Sequence, residues 1–364
     1  MHIIGVISFM NIGGAQSALL RLAGGLGARG HTVEVWSLYE KSASNITDEG
    51  TYTFIKKRSL SFYEYFKVFF QLVSRLKKTK PDAVIGFLPL GNVFGLTAAK
   101  LAGVPRRIAS QRSPGIYYGG IIRFLDRILG ATGIYHSIVC VSESVANSFS
   151  DYPRGYTSKL CVIHNGMDWA PSSLDKFSAR DLFKLPRDKP LLVTVGRLEK
   201  EKNNALVVKI LKELKPVHVA MAGNGSELET LRKLAGSSGV IDRISFLGNL
   251  DPVSVCNLLR AADIFIQPSF YEGQSNSLLE AMHAGLPVIA SDIPAQRESL
   301  TDEHGDLAGI LLPPDDIQVW ENTVRLLLND PVRAENLGKA AMDLVQKRFP
   351  LSLMVDKFEK ILTG

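Results

Sequence analysis

Short apolar, β-branched runs alternate with longer helix-like stretches along the whole chain. In the first half the runs are HIIGVIS, TVEVWSL, AVIGFL, RIAS, SIVCVS and LCVIH. In the second half they are PLLVTVG, VHVAMAG, ISFLG, IFIQPS, PVIASD and GILLP. Helix-like stretches between them include Ala15–Ala28, Asn203–Leu214, Ser226–Leu234 and Val319–Leu328. Strands that are apolar along their whole length are buried on both faces, and parallel strands need helical crossovers to join them. The pattern therefore predicts an α/β chain with parallel sheets covered on both sides. The series starts twice, at Met1 and again at Pro190, with a polar, Pro- and Ser-containing linker from Asp168 to Asp188 between. Two doubly wound domains in tandem follow, which a length of 364 residues accommodates. In such sheets ligands bind in the crevice at the carboxyl ends of the strands, so the loops there are where chemistry belongs.

Composition closes off other classes. A chain 46% hydrophobic and 21% charged is neither disordered nor collagen-like. Cys140, Cys161 and Cys256 lie far apart with no metal-ligand spacing, so neither a disulfide framework nor a zinc site is expected, and the compartment is read as reducing. The opening MHIIGVISFM is read as a first strand and not a signal peptide. Ala83 to Ala99 is broken by Pro89, Gly91, Asn92 and Gly95 and is not read as a membrane span. A cytoplasmic protein is expected, at most peripheral on the inner face of the cell membrane. Net charge is +6, but residues 1–175 carry 19 basic against 11 acidic residues, or +8, while the remainder carries 23 against 25, or −2. The first half is thus expected to meet something acidic, though not nucleic acid.

Four loops carry candidate chemistry. Gly13-Gly14-Ala15-Gln16-Ser17 follows the first strand and opens a helix, whose free amides and partial positive charge suit an anion; a plain tight turn fits it equally. It is neither Gly-x-Gly-x-x-Gly nor a P-loop. In Gly196-Arg197-Leu198-Glu199-Lys200-Glu201-Lys202, a strand end is followed by two cations five residues apart. Arg197 suits a diphosphate with its planar fork and Lys202 adds a compact charge, although spacing alone favours a solvated charge run. Gly223-Asn224-Gly225 is a second glycine-containing strand-to-helix loop, compatible with a nucleotide or with an ordinary connection. The most informative segment runs from Gln267 to Met282. It leaves a buried strand, carries Glu272 in the loop, and enters a helix with Glu280 placed in its first turn. A loop carboxylate accepts from sugar hydroxyls, a helix-start carboxylate holds the two hydroxyls of a ribose, and the amides of Gln274, Ser275, Asn276 and Ser277 face an anion between them. Ser277-x-x-Glu280 also fits a capping box, which would make Glu280 structural.

The Glu272/Glu280 pair, the Gly-Arg with a lysine five positions on, and the early Gly-Gly-Ala-Gln loop together resemble the retaining glycosyltransferases of family 4. The resemblance extends over nearly the whole chain, including Val162 to Asp168 and Phe246-Leu247-Gly248. It implies the GT-B fold: two tandem Rossmann-like domains, 1–170 binding acceptor and 171–348 binding nucleotide-sugar, with a cleft between them. Residues 349–364 would form a helix crossing back to the first domain. By resemblance, Arg197 and Lys202 hold the donor diphosphate and stabilise the leaving nucleotide. Glu280 binds the ribose, Glu272 the donor sugar, and Gly13 and Gly14 close over the phosphates. Gly223 and Asn224 join the donor site. No Asp-x-Asp string is present, so neither metal nor cofactor is expected. The implied donor is a UDP-hexose or UDP-N-acetylhexosamine, and the implied acceptor a lipid-linked or surface glycan.

One position departs from the family. Many relatives place a histidine near Ser110-Gln111-Arg112-Ser113-Pro114, where this chain has Gln111 and Arg112. Arg112 suits a phosphate or an acidic acceptor, as Gln16 does, or is a surface charge; it is no base. His136 and His164 are the nearest alternatives in sequence, and His164 reads as structural. Residues 56–80 interleave Phe62, Tyr63, Tyr65, Phe66, Phe69 and Phe70 with Lys56, Lys57, Arg58, Lys67, Arg75, Lys77 and Lys78. That fits a helix lying on an anionic membrane, or a core-facing helix with a solvated basic back. Rival readings are a binding protein of the same fold without chemistry and a nucleotide-sugar epimerase. A phosphorylase would need a longer chain, and the missing glycine fingerprint disfavours a dehydrogenase.

Overall fold

The computed structural model describes residues 1–10, 13–40, 51–57 and 59–364, which leaves Arg58 of the basic segment outside the described residues. The chain divides into two compact units, Met1–Met167 with Phe349–Gly364, and Asp168–Arg348.

The first unit is built on seven strands, β1 (His2–Met10), β2 (Thr32–Glu40), β3 (Thr51–Ile55), β4 (Ala83–Phe87), β5 (Arg106–Gln111), β6 (Ser137–Cys140) and β7 (Leu160–Val162). They pair in the order β3-β2-β1-β4-β5-β6-β7, every pair parallel. Side chains alternate across β1. Ile3 and Ile7 pack with Leu19, Leu22 and Leu26 of helix Gly14–Gly27, and Ile4 and Val6 pack on the other face with Val68, Leu72 and Leu76 of helix Phe62–Thr79. The terminal helix Leu351–Thr363 buries Met354, Val355, Phe358 and Leu362 in this same unit, each contributing about 1.5–3 kcal/mol. It fits because Gly25 has no side chain: a Cβ there would stand 2.5 Å from Val355 Cγ2. Arg29 adds ion pairs to Glu359 at 2.6 Å and Asp356 at 2.5 Å.

The second unit repeats the plan with β8 (Leu191–Val195), β9 (His218–Ala222), β10 (Ile244–Gly248), β11 (Ile264–Gln267), β12 (Val288–Ser291) and β13 (Ile310–Leu312). Their order is β10-β9-β8-β11-β12-β13, again all parallel. In each sheet the strand order reverses once, between β1 and β4 and between β8 and β11. Those reversals are the topological switch points where doubly wound sheets bind ligands.

Two elements depart from the sequence expectation. The edge strand β3, TYTFI, alternates polar and aromatic residues and has no continuous apolar run to announce it. The segment read as a linker contains helix Lys176–Leu182, capped by Asp175. Its Arg180 is buried and works as an anchor, donating to the carbonyls of Ala261, Pro186, Arg187 and Lys189 and to Asp263.

Candidate functional site

In the second unit the loops after β8 and β11 flank the switch point, and both predicted cations and Glu272 lie on them. Arg197 follows β8 directly, and a 3₁₀ turn at Lys200–Lys202 brings Lys202 back over the strand ends. Lys202 Nζ donates to Glu272 Oε1 at 2.6 Å, and Ser269 Oγ donates to the same oxygen at 2.8 Å. Both side chains are largely buried, at 18% and 9% exposure, while Glu272 Oε2 has no hydrogen bond among the described residues. Arg197 is 60% exposed and reaches Glu201 at 2.7 Å. The amide of Phe270 donates to the carbonyl of Glu201 at 2.8 Å, fastening the two loops together.

Gly223 and Asn224 complete this edge. Gly223 has φ +135°, and a Cβ there would stand 1.9 Å from the carbonyl oxygen of Gly196. Only glycine permits that approach. The Gly223 amide donates to Gly248 O at 2.7 Å and the Leu198 amide to Asn224 O at 2.9 Å, so the loops after β8, β9 and β10 interlock through their backbones.

The helix after β11 runs Asn276–His283. Its cap is Ser275, whose hydroxyl accepts from the Leu278 amide at 3.3 Å. Ser277 therefore lies inside the helix and the Ser277–Glu280 capping box is not its cap. Glu280 is the fifth helical residue, half-buried, in the second turn and not in the first where the sequence places it. Sequence reasoning missed the support beneath. Gln267 Nε2 donates to Ser275 Oγ at 2.9 Å and Ser277 Oγ at 3.2 Å, and Gln296 Nε2 donates to Gln267 Oε1 at 2.9 Å. These buried amides fix the start of the helix. Gln274 is buried beside Ser275.

In the first unit Gly13 caps helix Gly14–Gly27 with extended backbone. Gln16 is buried and spends its amide on the carbonyl of Phe9, at 3.1 Å. Arg112 follows β5. It lies over the ring of Phe87 at 5.4 Å and donates from Nη2 to the buried Asn165 Oδ1. Burial, with Arg21 nearby, holds its pKa down to about 9, still charged at neutral pH. The preceding Gln111 is clamped: it donates to Asp126 at 3.1 Å and Tyr156 at 2.8 Å, and accepts from Asn92 at 3.1 Å and Tyr118 at 2.7 Å. His136 is engaged with Arg107 at 2.8 Å, and His164 packs edge-on against Phe349 at 5.3 Å. Part of the basic excess is internal: Arg107 donates to the carbonyls of Ile134 and Gly133, and Arg75 stacks 3.7 Å over Tyr52. No group of three His, Cys, Asp or Glu among the described residues is arranged to hold a metal ion.

The model of Glycosyltransferase Family 4 matches residues 12–170, and that of Glycosyl transferases group 1 matches residues 175–343. The chain belongs to glycosyltransferase family 4. Its fold is GT-B: HepE of Anabaena, crystallised with UDP and glucose, superposes with a TM-score of 0.86 over 100% of this chain and 99% of its own, at 17% identity. A sulfoquinovosyl transferase of Arabidopsis thaliana is 25% identical over 76% of this chain, a match that spans 56% of that protein's own length. An undecaprenol-linked-glycan N-acetyl-D-galactosaminyltransferase of Campylobacter jejuni is 26% identical over 100% of this chain and 98% of its own.

Proposed function

We propose that this family 4 member transfers a hexose or N-acetylhexosamine from a UDP-sugar to a lipid-linked or surface glycan, with retention and without a metal. The observation that carries the reading is the placement of Arg197, Lys202 and Glu272 on the two loops that flank the switch point of the second unit. A diphosphate leaving group gains negative charge as the glycosidic bond to it breaks. Fixed cations at that point stabilise the transition state more than the ground state. Arg197 offers a planar fork for two phosphate oxygens, and Lys202 a compact charge already oriented by Glu272. Glu272 Oε2 remains to accept from a hydroxyl of the donor sugar. That HepE was crystallised with UDP and glucose supports this choice of donor.

Membrane contact in the first unit fits the same reading. Helix Phe62–Thr79 exposes Phe62 (80%), Tyr63, Phe66 and Phe70 beside exposed Lys67, Lys77 and Lys78, while Val68, Leu72 and Leu76 take its core side. Helix Gly120–Ala131 exposes Ile121, Phe124 and Ile128 at helical spacing. Apolar rows edged by cations suit an anionic lipid surface. Among the described residues no helix is long and apolar enough to cross a membrane. Vesicles of anionic lipid should co-sediment the protein at low salt and release it at high salt; protein left in the supernatant at low salt would remove this part.

The test of the donor site is a thermal-shift panel of UDP, GDP and ADP with EDTA present. A shift selective for UDP is expected, growing with ligand excess. No shift with any nucleotide would favour a binding protein without chemistry.

A further inference from the structure

We propose that the Ser277 hydroxyl gives a hydrogen bond of fixed direction to a diphosphate oxygen of the nucleotide-sugar, and that Gln296, acting through Gln267, is the positioning residue that fixes this direction. The inference rests on the transferase reading and adds to it a side-chain contact and the reason for its polarity.

One backbone carbonyl sets the direction. Gln296 Nε2 lies 3.2 Å from the carbonyl oxygen of Gln267 and 2.9 Å from its Oε1. A carbonyl only accepts, so the Gln296 amide must present its nitrogen there. Gln267 must then turn its side-chain oxygen to Gln296 and its nitrogen to the other side. That nitrogen donates to Ser275 Oγ at 2.9 Å and to Ser277 Oγ at 3.2 Å. Ser275 Oγ also accepts from the Leu278 amide at 3.3 Å, which takes up both of its lone pairs. Its proton can only be given away, and Ser277 Oγ stands 3.1 Å off to receive it. Ser277 Oγ thus accepts twice, from Gln267 and from Ser275. Its own proton is left over, and no acceptor for it lies among the described residues.

Ser277 is also where that proton can be used. Gln296, Gln267 and Ser275 are buried and Ser277 is half-buried, so the chain of hydrogen bonds surfaces at its hydroxyl. It is the second residue of helix Asn276–His283, which follows the loop that carries Glu272, at the carboxyl end of β11 beside the switch point. A hydroxyl that can only donate matches an oxygen with no proton to give. A phosphate oxygen is such a group, and the bond to it is charge-assisted; a sugar hydroxyl, which donates as well as accepts, matches less well. Gln296 carries a cost that points the same way. Its Oε1 is buried with no hydrogen bond among the described residues, which an apolar side chain of similar length would avoid. The direction that this amide imposes on Gln267 explains its presence.

The test is calorimetric titration of UDP and of uridine into the full chain, with EDTA present. Ser277→Ala should bind UDP about tenfold more weakly and uridine within about twofold of wild type. It should melt at or above the wild-type temperature, because alanine suits a helix better than serine. Ser277→Thr keeps the hydroxyl and should bind UDP within about threefold of wild type. Gln296→Met frees the Gln267 amide to turn, so that its oxygen takes the Ser277 proton. UDP binding should then weaken about fivefold, but less than about 1.5-fold when the change is made on the Ser277→Ala background. Equal UDP affinity in wild type and Ser277→Ala would overturn the contact, and so would a loss of uridine as large as that of UDP. A Gln296→Met loss that persists in full on the Ser277→Ala background would overturn the relay and leave Gln296 a structural residue. Should Gln296→Met not fold, the Ala and Thr variants of Ser277 still decide the contact. A wild type that binds neither ligand would remove the donor reading and this contact together, whereas UDP binding that ignores the hydroxyl removes the contact alone.

Discussion

The two units place cations at corresponding carboxyl edges and balance them in opposite ways. In the second unit Lys202 is paired with Glu272 and Arg197 with Glu201, so each cation has its own carboxylate. In the first unit Arg112 has the amide oxygen of Asn165 and the ring of Phe87 for partners, with no carboxylate on it among the described residues. A compensated site is stable when empty and holds its geometry, but an incoming anion must compete with the resident carboxylates. An uncompensated site gains more from an anion and costs the empty fold something. The contrast fits a second-unit site that is assembled before any anion arrives.

The largest effect should come from breaking the backbone on which the compensated site rests. Gly223→Ala brings a Cβ into the space of Gly196 O and forces an alanine to φ +135°, so a loss of roughly 3–5 kcal/mol is expected by denaturant titration. Stability within about 1 kcal/mol of wild type would mean that the loops after β8 and β9 do not interlock as described.

How much of this was legible in the sequence differs between the units for physical reasons. Strands such as β1, β4 and β8 are buried on both faces and read as continuous apolar runs, whereas β3 is an edge strand whose polar residues hid it. Helix Lys176–Leu182 was hidden because its core contact is an arginine, Arg180, and not an apolar stripe. Arg197, Lys202 and Glu272 stood out by motif, but the pairing of Lys202 with Glu272 spans 70 positions and leaves no local trace. The same holds for Gln111 with Asp126 and for Arg112 with Asn165, which are joined only by the sheet. The sequence puts Glu280 two helical positions too early because Ser275 and Ser277 both suit a cap, and the hydrogen bond from the Leu278 amide goes to Ser275.

A middle-sized effect should come from the clamp under Arg112. The Asp126 carboxyl is fully buried, and burial raises its pKa to about 6 against the hydrogen bonds from Tyr156, Gln111 and Tyr135 that favour the charged form. Because the folded value lies above the unfolded one, its stabilising contribution is complete below about pH 4 and is lost as pH rises through about 6. Over that window Asp126→Asn should gain on the order of 2–3 kcal/mol relative to wild type, measured as the difference in unfolding free energy at pH 4.5 and 7.5. A difference that does not move with pH would contradict the clamp's charge state.

The smallest effect belongs to the exposed pair. Glu201→Gln removes the carboxylate from Arg197, whose side chain is 60% exposed. Stability should change by less than about 0.5 kcal/mol, and UDP should bind about two- to threefold more tightly because its competitor is gone. Weaker UDP binding would mean that Glu201 helps to hold the nucleotide and that the compensation has been misassigned.

The central claim is that the second unit grips a nucleotide diphosphate through Lys202. Calorimetric titration of UDP into wild type and Lys202→Gln, with EDTA present, tests it most directly. Glutamine removes the charge and keeps a polar side chain one bond shorter, so the melting temperature of the variant is measured alongside to report on the loop. At least about tenfold weaker UDP binding in the variant is predicted, equivalent to about 1.4 kcal/mol. Equal affinities in two proteins that melt alike would contradict the account.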